Sequence, residues 1–221
     1  MNTIVYFSLG FGYILLFIWS LLLSKNHSLA NLTNTIMLVI IGLIYDNFII
    51  ALGRFFGEGG VLESLTYSRY LFHAFFTPTL IIFAWSISQT LDFSWAKKLA
   101  WKRTLILLTA GLILYELITS IFGLKLEPNW SNGVLTYESN EQSGLIVIVV
   151  TFVLFVFSIL LIKKHRLYWP LVGVLFMLLC AVLQRWFNDF PLMNIAEFIL
   201  IVSLLLTKRF VVQNEKTPIS N

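Results

Sequence analysis

Residues 31–53 read NLTNTIMLVIIGLIYDNFIIALG. From Ile36 to Gly53 only Tyr45, Asp46 and Asn47 interrupt aliphatic residues, Phe48 and glycine. A run of this length crosses about 30 Å of hydrocarbon as a helix, whereas a strand or a soluble core helix needs far less. Asp46 is the anomaly in it. An ionised side chain near mid-bilayer costs about 2.5–3.5 kcal/mol on insertion scales, so such a group calls for a partner or a wet cavity.

Six further runs share the character of this one, near 3–24, 68–90, 103–124, 144–162, 168–187 and 191–208. The chain of 221 residues is 58% hydrophobic and 12% charged, with mean hydropathy +0.86. That balance fits a polytopic membrane protein and not a soluble domain of the same length. The expected fold is all-α, a bundle of seven transmembrane helices over 1–212, followed by a short polar cytoplasmic tail at 213–221. The first run has no basic segment before it and no small-residue cleavage site, so it reads as a retained helix. Cys180 is the single cysteine, which excludes an intrachain disulfide and a thiolate metal site.

Orientation follows from the basic residues. Lys25, Lys97, Lys98, Lys102, Arg103, Lys163, Lys164, Arg166, Lys208, Arg209 and Lys216 fall on one side of the bundle. Arg54, Arg69, Lys125 and Arg185 fall on the other. Eleven against four places the N-terminus outside and the C-terminus in the cytoplasm, with the cell membrane as the expected location. The same clustering at helix ends accounts for the basic pI near 9.2 and leaves no case for nucleic acid as a partner. Two outer connections are longer than the rest. Residues 54–67 join the second and third runs through Gly57, Gly59 and Gly60, and residues 125–142 contain Pro128, Asn132 and Gly133. The second of these reads as a polar outer loop or a small lid.

Ionisable residues within the apolar runs are Asp46, His73, Glu116, Arg185 and Glu197, all toward the outer face. Helical spacing gives them company. Arg69, His73 and Thr77 lie at i, i+4 and i+8 on one stripe, Tyr115 precedes Glu116, and Asn194 and Glu197 are an i,i+3 pair. Gln184 and Arg185 stand near an outer helix end, with Arg185 and Asp189 at i,i+4. Arg54 and Arg69 read as helix-end residues whose heads reach the lipid headgroups. The inner halves of the runs are almost wholly Leu, Ile, Val and Phe.

These patterns imply a polar cavity in the outer half of the bilayer. Asp46, His73, Glu116 and Glu197 are the candidate catalytic residues for acid/base chemistry. Asn47, Tyr115, Thr77, Gln184, Arg185 and Asn194 are the candidate binding residues. The leading expectation is a membrane-embedded enzyme acting on a lipid or isoprenoid that enters from the surrounding membrane lipids. Its rival is a small proton-coupled transporter with a 3+1+3 helix repeat, since residues 17–25 and 51–56 echo 155–163 and 182–187. A heptahelical sensor or assembly subunit is the third reading. No cofactor is expected, although Asp46, Glu116 and Glu197 offer oxygen ligands suited to one divalent cation. A His-rich zinc site, a retinal lysine, a phosphate-binding glycine loop and a nucleophile elbow are all excluded by the residues present.

Overall fold

The structure is a computed structural model and describes residues 2–25, 31–139, 144–187 and 190–216. His27, Glu141, Asn188 and Asp189, the expected Arg185–Asp189 pair and the tail beyond Lys216 lie outside the described residues. Helix accounts for 79% of the structure. The elements are α1 (Asn2–Ser24), a 3-10 turn (Leu32–Thr35) leading into α2 (Ile36–Phe56), α3 (Gly60–Phe76), α4 (Thr79–Thr90), α5 (Leu99–Glu116) with a π turn (Leu117–Ile121), strands β1 (Glu127–Ser131) and β2 (Val134–Glu138), α6 (Leu145–His165), α7 (Trp169–Leu183) and α8 (Leu192–Lys216). Among the described residues, five helical segments are long and apolar enough to cross a membrane: Asn2–Ser24, Leu32–Phe56, Gly60–Thr90, Leu99–Ile121 and Leu145–His165. Apolar side chains such as Phe11, Leu107, Ile148 and Phe152 are more than half exposed on the bundle surface. A water-facing surface carries few such patches, and the arrangement is compatible with a membrane-embedded protein.

Three departures from the sequence expectation decide the site. The first is the connection between α2 and α3, which shrinks from the expected 54–67 to Gly57–Gly59. Gly57 and Gly59 have φ of +73° and +153°, conformations that side chains resist, so the chain reverses at once. Residues 60–67 therefore form the first two turns of α3 and are not part of the connection. The second is the break at Thr77–Pro78. Proline cannot donate to the Ala74 carbonyl, and α3 gives way to α4 there, with Ile81 N–H bonding back to the Pro78 carbonyl at 3.1 Å. Below the break α4 packs on α6, while α3 above it packs on α2, the π turn and β2 and has no comparable packing against α6.

The third is the hairpin, where a polar outer loop or a small lid without strands was expected. β1 and β2 are antiparallel, Ser131 facing Val134 across Asn132-Gly133. Asn132 and Gly133 both have positive φ, +45° and +80°, as a two-residue type I′ turn requires. β2 lies against α2 and α3. Its Leu135 is fully buried with Ile49 and Leu62 in a satellite core. The contact is so close at Gly53 that a Cβ there would collide with the Leu135 carbonyl oxygen. Thr3 Oγ1 donates to the Gly133 carbonyl at 3.0 Å, the Gly59 amide to the Tyr137 hydroxyl at 2.9 Å, and Trp130 Nε1 to Glu58 Oε1 at 2.8 Å. The hairpin is thus fastened to α1 and to the α2–α3 turn.

At the opposite, basic end the main core is packed by Ile36, Ile87, Leu161, Leu204 and Leu205, each fully buried. Lys208 belongs here too. The sequence treats it as a marker of topology, but its side chain is 1% exposed. Its ammonium donates to Asn34 Oδ1 at 2.7 Å, Ser24 Oγ at 2.8 Å and Ser20 Oγ at 3.2 Å. This ties α8 to α1 and to the turn before α2. The basic end is therefore less purely apolar than its sequence suggests.

Candidate functional site

α2, α3 and α8 bring Asp46, Arg69, His73 and Glu197 together below the hairpin. Asp46 Oδ1 accepts from Arg69 Nε at 2.9 Å, with the side chains 24% and 15% exposed, and Asp46 Oδ2 accepts from Asn194 Nδ2 at 3.4 Å. Both carboxylate oxygens are engaged. One turn further along α3, His73 Nδ1 pairs with Thr77 Oγ1 at 3.2 Å. The other ring nitrogen takes no hydrogen bond from the described residues. Glu197 differs from Asp46 in the same respect: no hydrogen bond or ion pair holds its carboxyl among the described residues, although the charges of Asp46 and Arg69 reach it.

Two cavities meet at this cluster. A polar vestibule of about 340 Å³ lies toward the hairpin, where Tyr6, Tyr70, Thr136, Glu138 and Ser139 join the cluster. A narrow cleft of about 50 Å³ leads away from it, walled by Phe72, Phe76 and Leu80 on one side and Val147, Val150 and Leu154 on the other. Asp46, Arg69, His73 and Glu197 line both. The cleft is the wedge left where the helix breaks at Pro78, since α4 closes on α6 and α3 does not. Phe72 and Phe76 stack with centroids 5.4 Å apart, and Tyr45 meets Phe72 edge-on at 5.0 Å, so one wall is aromatic.

The chain matches no family model, and no curated protein matches it.

Of the expected catalytic residues, Asp46, His73 and Glu197 converge on the joined cavities and Glu116 does not. Glu116 ends α5 just before the π turn and lines neither cavity. Its Oε2 is enclosed without a hydrogen-bond partner among the described residues, and its charge reaches the His73 ring. Among the expected binding residues, Asn194 and Thr77 line the site. Asn47 is fully buried and donates to the Leu43 carbonyl of its own helix at 2.8 Å. Gln184 closes the turn after α7, donating to the Phe187 carbonyl at 3.3 Å. Tyr115 and Arg185 are exposed. Among the described residues no group of three His, Cys, Asp or Glu side chains is disposed to hold a metal ion, and Glu116 lines neither of the cavities that Asp46 and Glu197 share.

Sequence reasoning missed Arg69, and the cause is the misplaced helix start. With α3 expected to begin near 68, Arg69 read as a helix-end residue. With α3 beginning at Gly60 it stands nine residues in, roughly 14 Å along the axis, level with Asp46. The hairpin residues Thr136, Glu138 and Ser139 were missed as well. Asn132-Gly133 between NWS and the alternating VLTYE was the available signal.

Proposed function

We propose that the protein is a membrane-embedded enzyme that performs acid/base chemistry on an amphiphilic lipid or isoprenoid. The observation that carries this reading is the position of Asp46, Arg69, His73 and Glu197 at the junction of a polar vestibule and an apolar cleft. An amphiphile lodged there has its head among hydroxyls and carboxyls and its tail between α3 and α6, with its reactive bond at the ionisable cluster. Seven spanning helices, an outer N-terminus and a cytoplasmic C-terminus complete the picture, resting on the eleven-to-four division of basic residues and placing the vestibule on the outer side of the cell membrane.

The contacts divide the roles. Arg69 and Asn194 hold Asp46 in place, so it orients the site and sets its field. Glu197 and His73 keep a carboxyl and a ring nitrogen free of partners among the described residues, which is what proton exchange with a substrate needs. In a proton-shift reaction Glu197 delivers a proton to one carbon of an alkene. His73, with Nδ1 held by Thr77, removes one through Nε2 from the carbon on the other side of the cationic centre, and proton exchange with water in the vestibule returns Glu197 to the acid and His73 to the neutral ring. Phe72 and Phe76 face the carbocation that forms in between.

Transport is the weaker reading. It requires access from both faces, and beyond the cleft Ile87, Leu161, Leu204 and Leu205 are fully buried in the core. The test is lipid mass spectrometry of membranes from cells producing the wild-type chain, Glu197→Gln or neither. A lipid species should change with the wild type alone, the variant losing at least about 100-fold in rate, as removal of a general acid or base does. Equal conversion by Glu197→Gln would refute the acid/base assignment.

A further inference from the structure

An apolar groove of about 270 Å³ lies between α4, α5 and α6, toward the basic end. It shares no lining residue with the vestibule or the cleft. The groove exists because α5 packs on α4 but has no comparable packing against α6. Of its own side chains α5 buries only Thr109 and Leu112. Leu105 therefore faces Phe152 and Val156 of α6 across an open channel, with the buried Ile81 and Ala84 of α4 behind them.

The basic end of the channel has a different character. Trp85, Trp95 and Trp101 line it there. Trp85 Nε1 is fastened to the Ala96 carbonyl at 3.0 Å, and Trp95 meets Trp101 edge-on at 5.8 Å. Indole rings so gathered mark the level of the lipid headgroups. Lys102 Nζ stands 5.9 Å from the centre of the Trp85 ring. Lys102 and Leu105 are an i,i+3 pair, so the ammonium rises from the helix face that walls the groove. Lys98 comes one turn earlier. The neighbouring cations are already engaged, Lys97 by the Asp92 carboxylate at 2.6 Å and Lys164 by the Leu91 and Asp92 carbonyls at 2.8 and 2.7 Å. Lys98 and Lys102 have neither a hydrogen bond nor an ion pair among the described residues. The first turn of α5 contains no acid and no side chain caps it, so nothing negative offsets them there.

We propose that the groove binds one acyl chain of an anionic phospholipid in the leaflet at this end, with the lipid phosphate against Lys98 and Lys102. The apolar walls accept hydrocarbon without choosing a head, and the two unpaired ammoniums make the choice. A zwitterionic head brings a further cation to a place that already has two without partners. A second copy of this chain would set the same lysines against each other. The bound chain supplies the packing between α5 and α6 that the protein itself lacks.

The test titrates dibrominated phosphatidylglycerol or dibrominated phosphatidylcholine, with identical chains, into the full chain in an uncharged maltoside detergent. The readout is quenching of tryptophan fluorescence by bromine in the groove. Half-maximal quenching should need an at least about tenfold lower mole fraction of the glycerol lipid. Lys98→Gln combined with Lys102→Gln should erase that preference while the unfolding midpoint in detergent holds. Lys25→Gln combined with Arg209→Gln removes two exposed cations from other helices at the same end and should leave the preference intact. Val156→Phe fills the groove from a position 42% exposed and should weaken quenching by the glycerol lipid several-fold. Equal quenching by the two lipids overturns the proposal, since it describes ordinary contact with bulk lipid. So does an equal loss of preference in the Lys25 and Arg209 variant, which would trace it to the general surface potential. Inorganic phosphate that abolishes the preference when equimolar with the lipid would make this a free-anion site and overturn it too. None of these measurements involves Glu197 or His73, so this proposal and the acid/base reading stand or fall separately.

Discussion

Asp46 and Glu197 illustrate how two carboxyls of similar sequence context acquire different work. Both lie within apolar helices, and the cost of charge in hydrocarbon applies equally to each. Arg69 and Asn194 occupy both oxygens of Asp46, so it is fixed, while Glu197 stays open to the cavities. The Asp46–Arg69 pair is partly exposed to the vestibule, so its removal should cost less than the loss of one partner from a fully buried pair. Arg69→Ala is expected to destabilise the protein by about 1–3 kcal/mol, through the carboxylate left unpaired. Adding Asp46→Asn should recover much of the loss, because the orphaned charge is then gone. Thermal unfolding of both variants in detergent checks this, and an Arg69→Ala protein as stable as the parent would contradict it. The i,i+4 stripe of Arg69, His73 and Thr77 was legible from spacing alone. That Arg69 answers Asp46 was not, because the two are 23 positions apart on different helices.

Two elements shape the cavity, and each has a local cause. The Pro78 break separates α3 from α6 and leaves the cleft, and a proline within an apolar run announces such a break in the sequence. The hairpin roofs the vestibule, and its position depends on Gly53. A side chain at 53 improves helix propensity by about 1 kcal/mol but drives a carbon into the Leu135 carbonyl oxygen. In Gly53→Ala the hairpin should shift away from α2, and amide hydrogen exchange across residues 127–138 should quicken by about tenfold or more while the bundle helices keep their protection. Unchanged exchange in the hairpin would show that α2 yields instead. The same glycine explains why the seat of the lid was hard to foresee. Asn132-Gly133 signals a turn, but nothing in the local pattern says that β2 will seat on a glycine of a helix some eighty residues earlier.

Across the whole molecule the ends differ in what holds them. The hairpin end gathers the ionisable site, and the basic end is closed by apolar packing together with the Lys208 knot to Ser20, Ser24 and Asn34. If the bundle crosses the membrane as proposed, the two ends face different compartments. With Cys180→Ser as background, Glu63→Cys should react with a membrane-impermeant maleimide in intact cells, and Lys97→Cys only after permeabilisation. The opposite pattern would invert the proposed orientation, and labelling of both in intact cells would rule out a sealed span between them.

Composition and periodicity determined the helical character of the chain, its apolar runs, the i,i+4 stripe of Arg69, His73 and Thr77 and the division of basic charge, since each of these depends on residues close together along one helix. The tertiary structure alone decided which of those residues meet. Asp46 is answered by Arg69 and Asn194, Glu116 is left outside the shared cavities, and Glu138 arrives on a hairpin. The physical reason is that a helix fixes the face and depth of a side chain through its 3.6-residue period. Its rotation against its neighbours is set by packing, by the break at Pro78 and by the close seat at Gly53, all of which join parts of the chain far apart in sequence.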